Sequence, residues 1–165
     1  MRAFKFLLDG QLAPFSGLRW PVGEWVASTE HAACRSGIHA CDPADLPFWL
    51  MDELWEVELA GSIMRGRHKL VADRGRLVRR LRAWDQAGRE AFGEACVTRV
   101  RELARRRPDA EQHFADLASW VPHVGPAAAA SLSARAFEAV EGPDGYDAER
   151  TAQTHWLLGQ LSLPA

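Results

Sequence analysis

The pattern of apolar residues changes near residue 82, and this change constrains the fold more than any other feature of the sequence. Residues 1–82 hold short apolar runs broken by glycine and proline, whereas residues 83–165 hold long stretches with helical periodicity. The first pattern is typical of strands and the second of amphipathic helices. The sequence therefore predicts an α+β protein with a small mixed or antiparallel sheet in residues 1–82. Four helices from residues 83–165 are expected to pack on this sheet and complete one compact unit.

The clearest strand signal is the alternation of apolar and acidic residues from Trp55 to Leu59. Its apolar side chains are expected to face the core, with Glu56 and Glu58 on the other face, and Gly61 is expected to end the strand. A helix is expected to begin at Asp42-Pro43 and to run through residue 50. Shorter strands are expected over residues 4–8, 24–27, 37–41, 69–72 and 77–81.

The second half contains signals for helix starts and stops. An apolar stripe from residue 92 to residue 104 predicts one helix, which ends before Pro108. Asp109 is expected to cap the next helix, and Pro126 to open a third that closes at Gly142-Pro143. Asp147 is expected to cap a fourth.

Composition excludes several classes of protein. The chain is 47% hydrophobic with a net charge of −2, which is unlike a disordered protein. It has no run of 18 apolar residues and no N-terminal secretion signal, so we expect a cytoplasmic protein without a membrane span. Its three cysteines are then expected to be reduced.

Basic residues cluster between Arg65 and Arg82, where eight of them accompany a single acidic residue, Asp73. Such a segment is typical of a solvated edge strand, and a phosphate-binding face is the alternative. With a net charge of −2 for the whole chain, nucleic acid is not the expected partner.

The segment from Cys34 to Cys41 contains two thiols and the imidazole of His39 within eight residues. Thiolate and imidazole are zinc ligands, so a metal site of Cys34, His39 and Cys41 is one interpretation, although a fourth ligand would have to come from a distance. A cysteine activated by the histidine is a second interpretation. A third is structural, with small buried thiols and a histidine that binds a backbone carbonyl.

Residues 34–41 also carry a family resemblance. The motif C-x3-G-I-H-A-C, followed by L-P-F-W-L, E-V-E-L-x-G and K-L-V-A, resembles an uncharacterised family of bacterial and phage proteins over about residues 3–82. The order of the segments 37–40, 45–51 and 55–61 is also similar to that in ADP-ribosyltransferase-like domains, which hold NAD in a cleft between two small sheets. This second resemblance implies a nucleotide or NAD as the ligand.

These observations together predict a ligand pocket around His39. We expect Trp20, Trp25 and Trp49 to border it, together with the ordered loop that begins at Pro14. If the protein is an enzyme, His39 would contact or activate the ligand and Glu56 or Glu58 would orient a hydroxyl group. Phosphate would then be met by arginines of the basic cluster, above all Arg65 and Arg67.

Two other functions remain open at this point. The helical half could bind a partner protein, as in an interaction or immunity-type module that is not an enzyme. The chain could also be a zinc protein that uses Cys34, His39 and Cys41. The sequence alone does not decide between these functions and the pocket.

Overall fold

A computed structural model describes residues 1–28, 37–107, 119 and 124–164. The chain divides into two compact units, Met1–Asp85 and Gln86–Ala165. The first holds an antiparallel sheet and the second holds helices, which confirms the predicted α+β class. No helix in the described ranges is both long and apolar enough to cross a membrane.

The sheet of the first unit has five strands. In chain order they are β1 (Arg2–Leu7), β2 (Trp25–Ala27), β3 (Ile38–Ala40), β4 (Glu53–Gly66) and β5 (Lys69–Arg80). The hydrogen-bonded order is β1-β4-β5-β2, and β3 pairs with β5 next to β2. All four strand pairs, the β4–β5 hairpin included, are antiparallel.

A bridge between Phe4 and Cys41 closes this sheet into a circuit. The Phe4 N–H donates to the Cys41 carbonyl oxygen at 2.9 Å, and the Cys41 N–H donates to the Phe4 carbonyl oxygen at 2.8 Å. Because Cys41 follows β3 directly, the strands form the circuit β1–β4–β5–β3 and back to β1. Closure of this kind removes exposed strand edges and encloses a core.

The enclosed core is apolar and contains one large side chain from a loop. Ala3 and Leu7 of β1 belong to it, as do the alternating apolar residues Trp55, Val57 and Leu59 of β4. Trp20 enters this core from the loop and is 3% exposed. Gly75 makes room for it, because a Cβ atom there would lie 2.6 Å from Ile38 Cγ2 and 3.3 Å from Trp20 Cη2.

Several element boundaries differ from the predictions. β4 does not end at Gly61 but runs to Gly66, and Gly61 lies in an irregular register between Ala60 and Ile63 with a φ of 84°. The strands expected at 69–72 and 77–81 form one strand, β5. The helix expected from Asp42 is a short 3₁₀ helix, Pro43–Phe48, because Pro47 removes a backbone donor within it.

The second unit contains α1 (Gln86–Arg106), α2 (Pro126–Glu141) and α3 (Pro143–Leu161). Gly142 joins α2 to α3 in a left-handed conformation, as the Gly142-Pro143 signal predicts. α3 begins at Pro143 and not at the predicted cap Asp147, since Pro143 fits the first turn of a helix. The helix predicted after Asp109 lies outside the described residues.

A buried polar cluster connects α1, α2 and α3. The carboxylate of Glu149 is fully buried and accepts a hydrogen bond from Arg99 Nε at 2.6 Å. Gln153 Nε2 donates to Glu149 Oε1 at 3.1 Å and to Ser133 Oγ at 2.8 Å. Such directional bonds fix the register of the helices, because breaking one would leave a buried polar group without a partner.

Candidate functional site

The first unit contains a cavity of about 450 Å³ beside β1 and β3. Strands β1 and β3, the first residue of β5, the loop before Trp20 and the segment after the 3₁₀ helix supply its walls. Most of the lining is apolar, and the basic side chains in it come from lysine and histidine. The lining residues are Phe4, Lys5, Phe6, Ala13, Pro14, Phe15, Ser16, Leu18, Trp20, Gly37, Ile38, His39, Ala40, Cys41, Trp49, Met51 and Lys69.

Lys5 is the most unusual residue of this cavity. It lies in the middle of β1 among apolar neighbours and is only 9% exposed. Its Nζ atom donates a hydrogen bond to the His39 carbonyl oxygen at 2.7 Å and lies 4.9 Å from the centre of the Trp20 ring. Within the described part of the chain, no carboxylate forms an ion pair with it. Burial lowers the pKa of the Lys5 ammonium to about 8.

The backbones of β1 and β3 separate directly after the Phe4–Cys41 bridge. Phe4 and Leu8 direct their N–H and C=O groups away from β4, towards Cys41 and Leu12 respectively. Because these groups alternate along a strand, the Phe6 N–H and C=O face the same side. In residues 1–28 and 37–107, we find no hydrogen-bond partner for either group of Phe6. They supply a donor and an acceptor at the cavity wall.

His39 lies across this separation from β1. Its neighbours Ile38 and Ala40 face the core, whereas its own side chain is half-buried and lines the cavity. Burial, and after it the charges of Lys5 and Lys69, lowers the pKa of the imidazole below its ordinary value of 6.5. The ring is therefore neutral at pH 7 and offers one donor and one acceptor.

Aromatic side chains form much of the remaining wall. Trp20 is buried in the core, Trp49 is half-buried, and Phe15 is 85% exposed on the loop at the cavity entrance. Trp49 is held in place because its Nε1 donates to the His68 carbonyl oxygen. The His68 ring stacks on Phe48 with 3.7 Å between ring centres, which ties the 3₁₀ helix to the β4–β5 turn.

The thiol of Cys41 is buried in the cavity wall. Burial, followed by the negative charges of Asp45 and Asp42, raises the pKa of this thiol far above its ordinary value. The protonated thiol is a poor nucleophile and a poor metal ligand. Among the described residues, no three histidine, cysteine or acidic side chains are grouped to hold a metal ion. The third predicted ligand, Cys34, lies outside the described residues.

Two of the predicted acidic residues lie away from the cavity. Glu56 is only 5% exposed. Its carboxylate pairs with Arg2 Nε at 2.7 Å and with an Arg79 guanidinium nitrogen at 3.0 Å. Glu58 pairs with Arg76 at 2.5 Å. Neither carboxylate lines the cavity, because both are used in cross-strand ion pairs.

Three further predicted residues also lie elsewhere. Trp25 is exposed on β2, where Arg76 and Arg74 stack on its ring at 5.0 and 5.6 Å. Arg65 pairs with Asp42, and Arg67 is exposed in the β4–β5 turn. The structure therefore brings His39, Trp20 and Trp49 together in the cavity and leaves out Trp25, Arg65 and Arg67.

The sequence analysis missed Lys5 and Phe6, and it considered Lys69 only as one of the basic residues between Arg65 and Arg82. The signal for Lys5 was available, since a lysine in the middle of an otherwise apolar strand is rarely buried unless it has a special role. No local signal marks Phe6, because its importance depends on where the pairing of β1 with β3 stops.

Comparisons with known proteins give one match. A family model described as a domain of unknown function (DUF7666) matches residues 1–88, which include the whole first unit and every residue of the cavity. No curated protein and no solved structure matches the chain. The match spans more than half of the 165 residues. The chain therefore belongs to the DUF7666 family of domains of unknown function.

Proposed function

We propose that the first unit binds a small anionic ligand with a planar ring in the cavity beside β1 and β3. The observation that carries this proposal is the buried Lys5 ammonium, which lies at the cavity wall without an ion-pair partner among the described residues. A buried charge is costly unless an opposite charge compensates it. An anionic group of the ligand would supply that compensation.

The remaining walls fit the rest of such a ligand. A cavity of about 450 Å³ is within the range of small-molecule sites, which are mostly apolar with a few polar groups. Trp20, Trp49 and Phe15 offer aromatic surface to a planar ring. Lys69 adds a second cation at the wall, and the Phe6 backbone adds one donor and one acceptor.

Nucleotides are the class of ligand that combines these features, because each carries a planar base and at least one phosphate. Within this class we favour a ligand of the NAD type and a transferase-like activity. The support is the order of elements, in which β3 is followed by a short 3₁₀ helix and then by β4. This is an analogy of fold and does not itself define a reaction. In this proposal His39 contacts the ligand, whereas Glu56 and Glu58 have no part in the site.

The test is a binding titration of the whole chain with NAD, AMP and adenosine. We expect NAD and AMP to raise the melting temperature and uncharged adenosine to have a smaller effect, because only the first two bring an anion to Lys5. A Lys5→Met variant should bind AMP at least about tenfold more weakly, which corresponds to about 1.4 kcal/mol.

The control for this variant is Arg82→Met. Arg82 is an exposed cation of the same unit outside the cavity lining, so its replacement changes the net charge equally. Unchanged affinity of Lys5→Met for AMP would contradict the proposal. An absence of any thermal shift with all three compounds would also contradict it and would favour the alternative of a protein partner.

A further inference from the structure

We propose that the ε-amine of Lys5 is a covalent site, which condenses with the aldehyde of a planar, anionic compound in the same cavity. This inference rests on the proposed function, because the anion and the ring would bind as described above. It adds a reaction and a class of substrate, aromatic or conjugated aldehydes with an acidic group. Three structural observations support this inference: the position of the Lys5 amine, the groups around it and the His39 imidazole in the same cavity.

The amine is held but not neutralised. One of its three hydrogens is donated to the His39 carbonyl oxygen at 2.7 Å, and a carbonyl is a neutral acceptor. The second recorded contact is the face of the Trp20 ring at 4.9 Å. Neither contact fixes the ammonium form as strongly as a carboxylate would. The pKa of about 8 follows from the same burial and gives a substantial fraction of free amine near neutral pH.

The surroundings exclude other nucleophiles from this role. The Cys41 thiol lies in the same wall but is kept protonated by its burial. Lys69, the other lysine of the chain, is only half-buried at the edge of the cavity. Lysines that form imines in proteins are usually desolvated in an apolar pocket, as Lys5 is here.

The reaction balances without an oxidant or reductant. The free amine attacks the carbonyl carbon, so a C–N bond forms and the C=O bond becomes a C–O single bond. One amine proton moves to the oxygen and gives a carbinolamine. Loss of the hydroxyl group with the second amine proton, as water, then leaves a C=N double bond. The neutral His39 imidazole lines the same cavity and can accept and return the proton that is moved.

The test uses pyridoxal phosphate as the probe, because it combines a planar ring, a phosphate and an aldehyde. The whole chain is incubated with the probe at pH 8, reduced with borohydride, digested and mapped by mass spectrometry. The chain has only two lysines and one α-amino group, so each modified site is identified directly. At pH 8 about half of an amine with a pKa of about 8 is in the free-base form, whereas less than about 1% of an ordinary lysine is in that form. We expect at least about tenfold more label on Lys5 than on Lys69.

Two further measurements keep the test decisive. Lys5→Met should abolish the dominant label, and Arg82→Met, which removes an exposed cation outside the cavity lining, should retain it, with circular dichroism to show that both variants fold. In the unaltered chain, an excess of AMP should protect Lys5 from the probe, and this measurement does not depend on any variant. Two results would overturn the inference: equal labelling of Lys5 and Lys69, or equal labelling of Lys5 in the folded chain and in the chain unfolded by urea before the reaction.

The failure of this inference is distinguishable from the failure of the proposed function. Pyridoxine phosphate has an alcohol in place of the aldehyde and cannot form an imine. If it raises the melting temperature while pyridoxal phosphate leaves Lys5 unlabelled, the cavity binds anions but Lys5 is not a covalent site. If neither compound binds and nothing is labelled, both proposals are wrong.

Discussion

The ammonium of Lys5 donates a hydrogen bond to the carbonyl oxygen of His39 across the separation between β1 and β3. The two strands pair through their backbones at Phe4 and Cys41, and one step further the lysine side chain takes the place of a backbone donor. The bond therefore stabilises a sheet that has opened to form a cavity. It also places a buried cation next to that cavity, and this position has measurable consequences.

The first prediction concerns the pH dependence of stability. The pKa of Lys5 is about 8 in the folded chain and ordinarily 10.5, so the unfolded chain binds a proton more tightly. The buried Lys5 ammonium therefore destabilises the folded state. This effect is at its full size below pH 8 and disappears as the pH rises from 8 to 10.5. Relative to Lys5→Met, the unaltered chain should therefore gain about 2 kcal/mol in free energy of unfolding between pH 7 and pH 10.

Urea unfolding of both chains at several pH values measures this difference, in which the titrations of groups that do not interact with Lys5 cancel. Arg82→Met is the control, and its stability should run parallel to that of the unaltered chain. If the free energy of unfolding of Lys5→Met also ran parallel to that of the unaltered chain, burial would not lower the pKa of Lys5 and the prediction would be wrong.

The second prediction concerns the imidazole of His39. Its pKa is lowered by burial and then by the positive charges of Lys5 and Lys69. Removing either charge should raise the pKa of His39, and Lys5→Met should raise it more than Lys69→Met. A titration followed by NMR of the histidine ring protons measures both changes. Arg82→Met should leave the pKa of His39 unchanged. An equal change in this pKa in all three variants would mean that it depends only on the net charge of the chain.

The third prediction separates Glu56 from the binding site. Its buried carboxylate is held by Arg2 at 2.7 Å and Arg79 at 3.0 Å. Glu56→Gln removes the charge that compensates these two guanidinium groups, so we expect a loss of about 1–3 kcal/mol in free energy of unfolding. Binding of AMP should stay within about twofold, which a calorimetric titration would show. Loss of binding without loss of stability would restore the catalytic role that the sequence suggested for Glu56.

The sequence was sufficient for the fold class but not for the site. The alternation around Val57 predicts β4 because Trp55, Val57 and Leu59 face the apolar core and acidic residues alternate with them. The same alternation placed Glu56 on the face opposite Val57, but it did not show that Arg2 and Arg79 hold this carboxylate in ion pairs away from the cavity. Lys5 escaped notice because its function depends on a long-range relationship, the bridge of Phe4 to Cys41, which no local pattern encodes.

The fourth prediction tests the backbone that begins β3. Gly37 has a φ of 120°, and a Cβ atom there would lie 2.5 Å from Val71 Cγ1. Gly37→Ala should therefore cost about 1–3 kcal/mol in free energy of unfolding, because the left-handed backbone is unfavourable for alanine and Val71 would have to move. It should also weaken AMP binding, since Gly37 lines the cavity and precedes His39.

A matched control for this variant is Gly93→Ala. Gly93 lies within α1, and a Cβ atom there meets nothing within 4 Å. Alanine favours helix over glycine by about 1 kcal/mol, so this variant should be as stable as the unaltered chain or more stable. Thermal and urea unfolding of the two variants compare the same chemical change at two positions. If Gly37→Ala is as stable as Gly93→Ala and binds AMP normally, the start of β3 is not constrained as we describe, and neither is the position of His39.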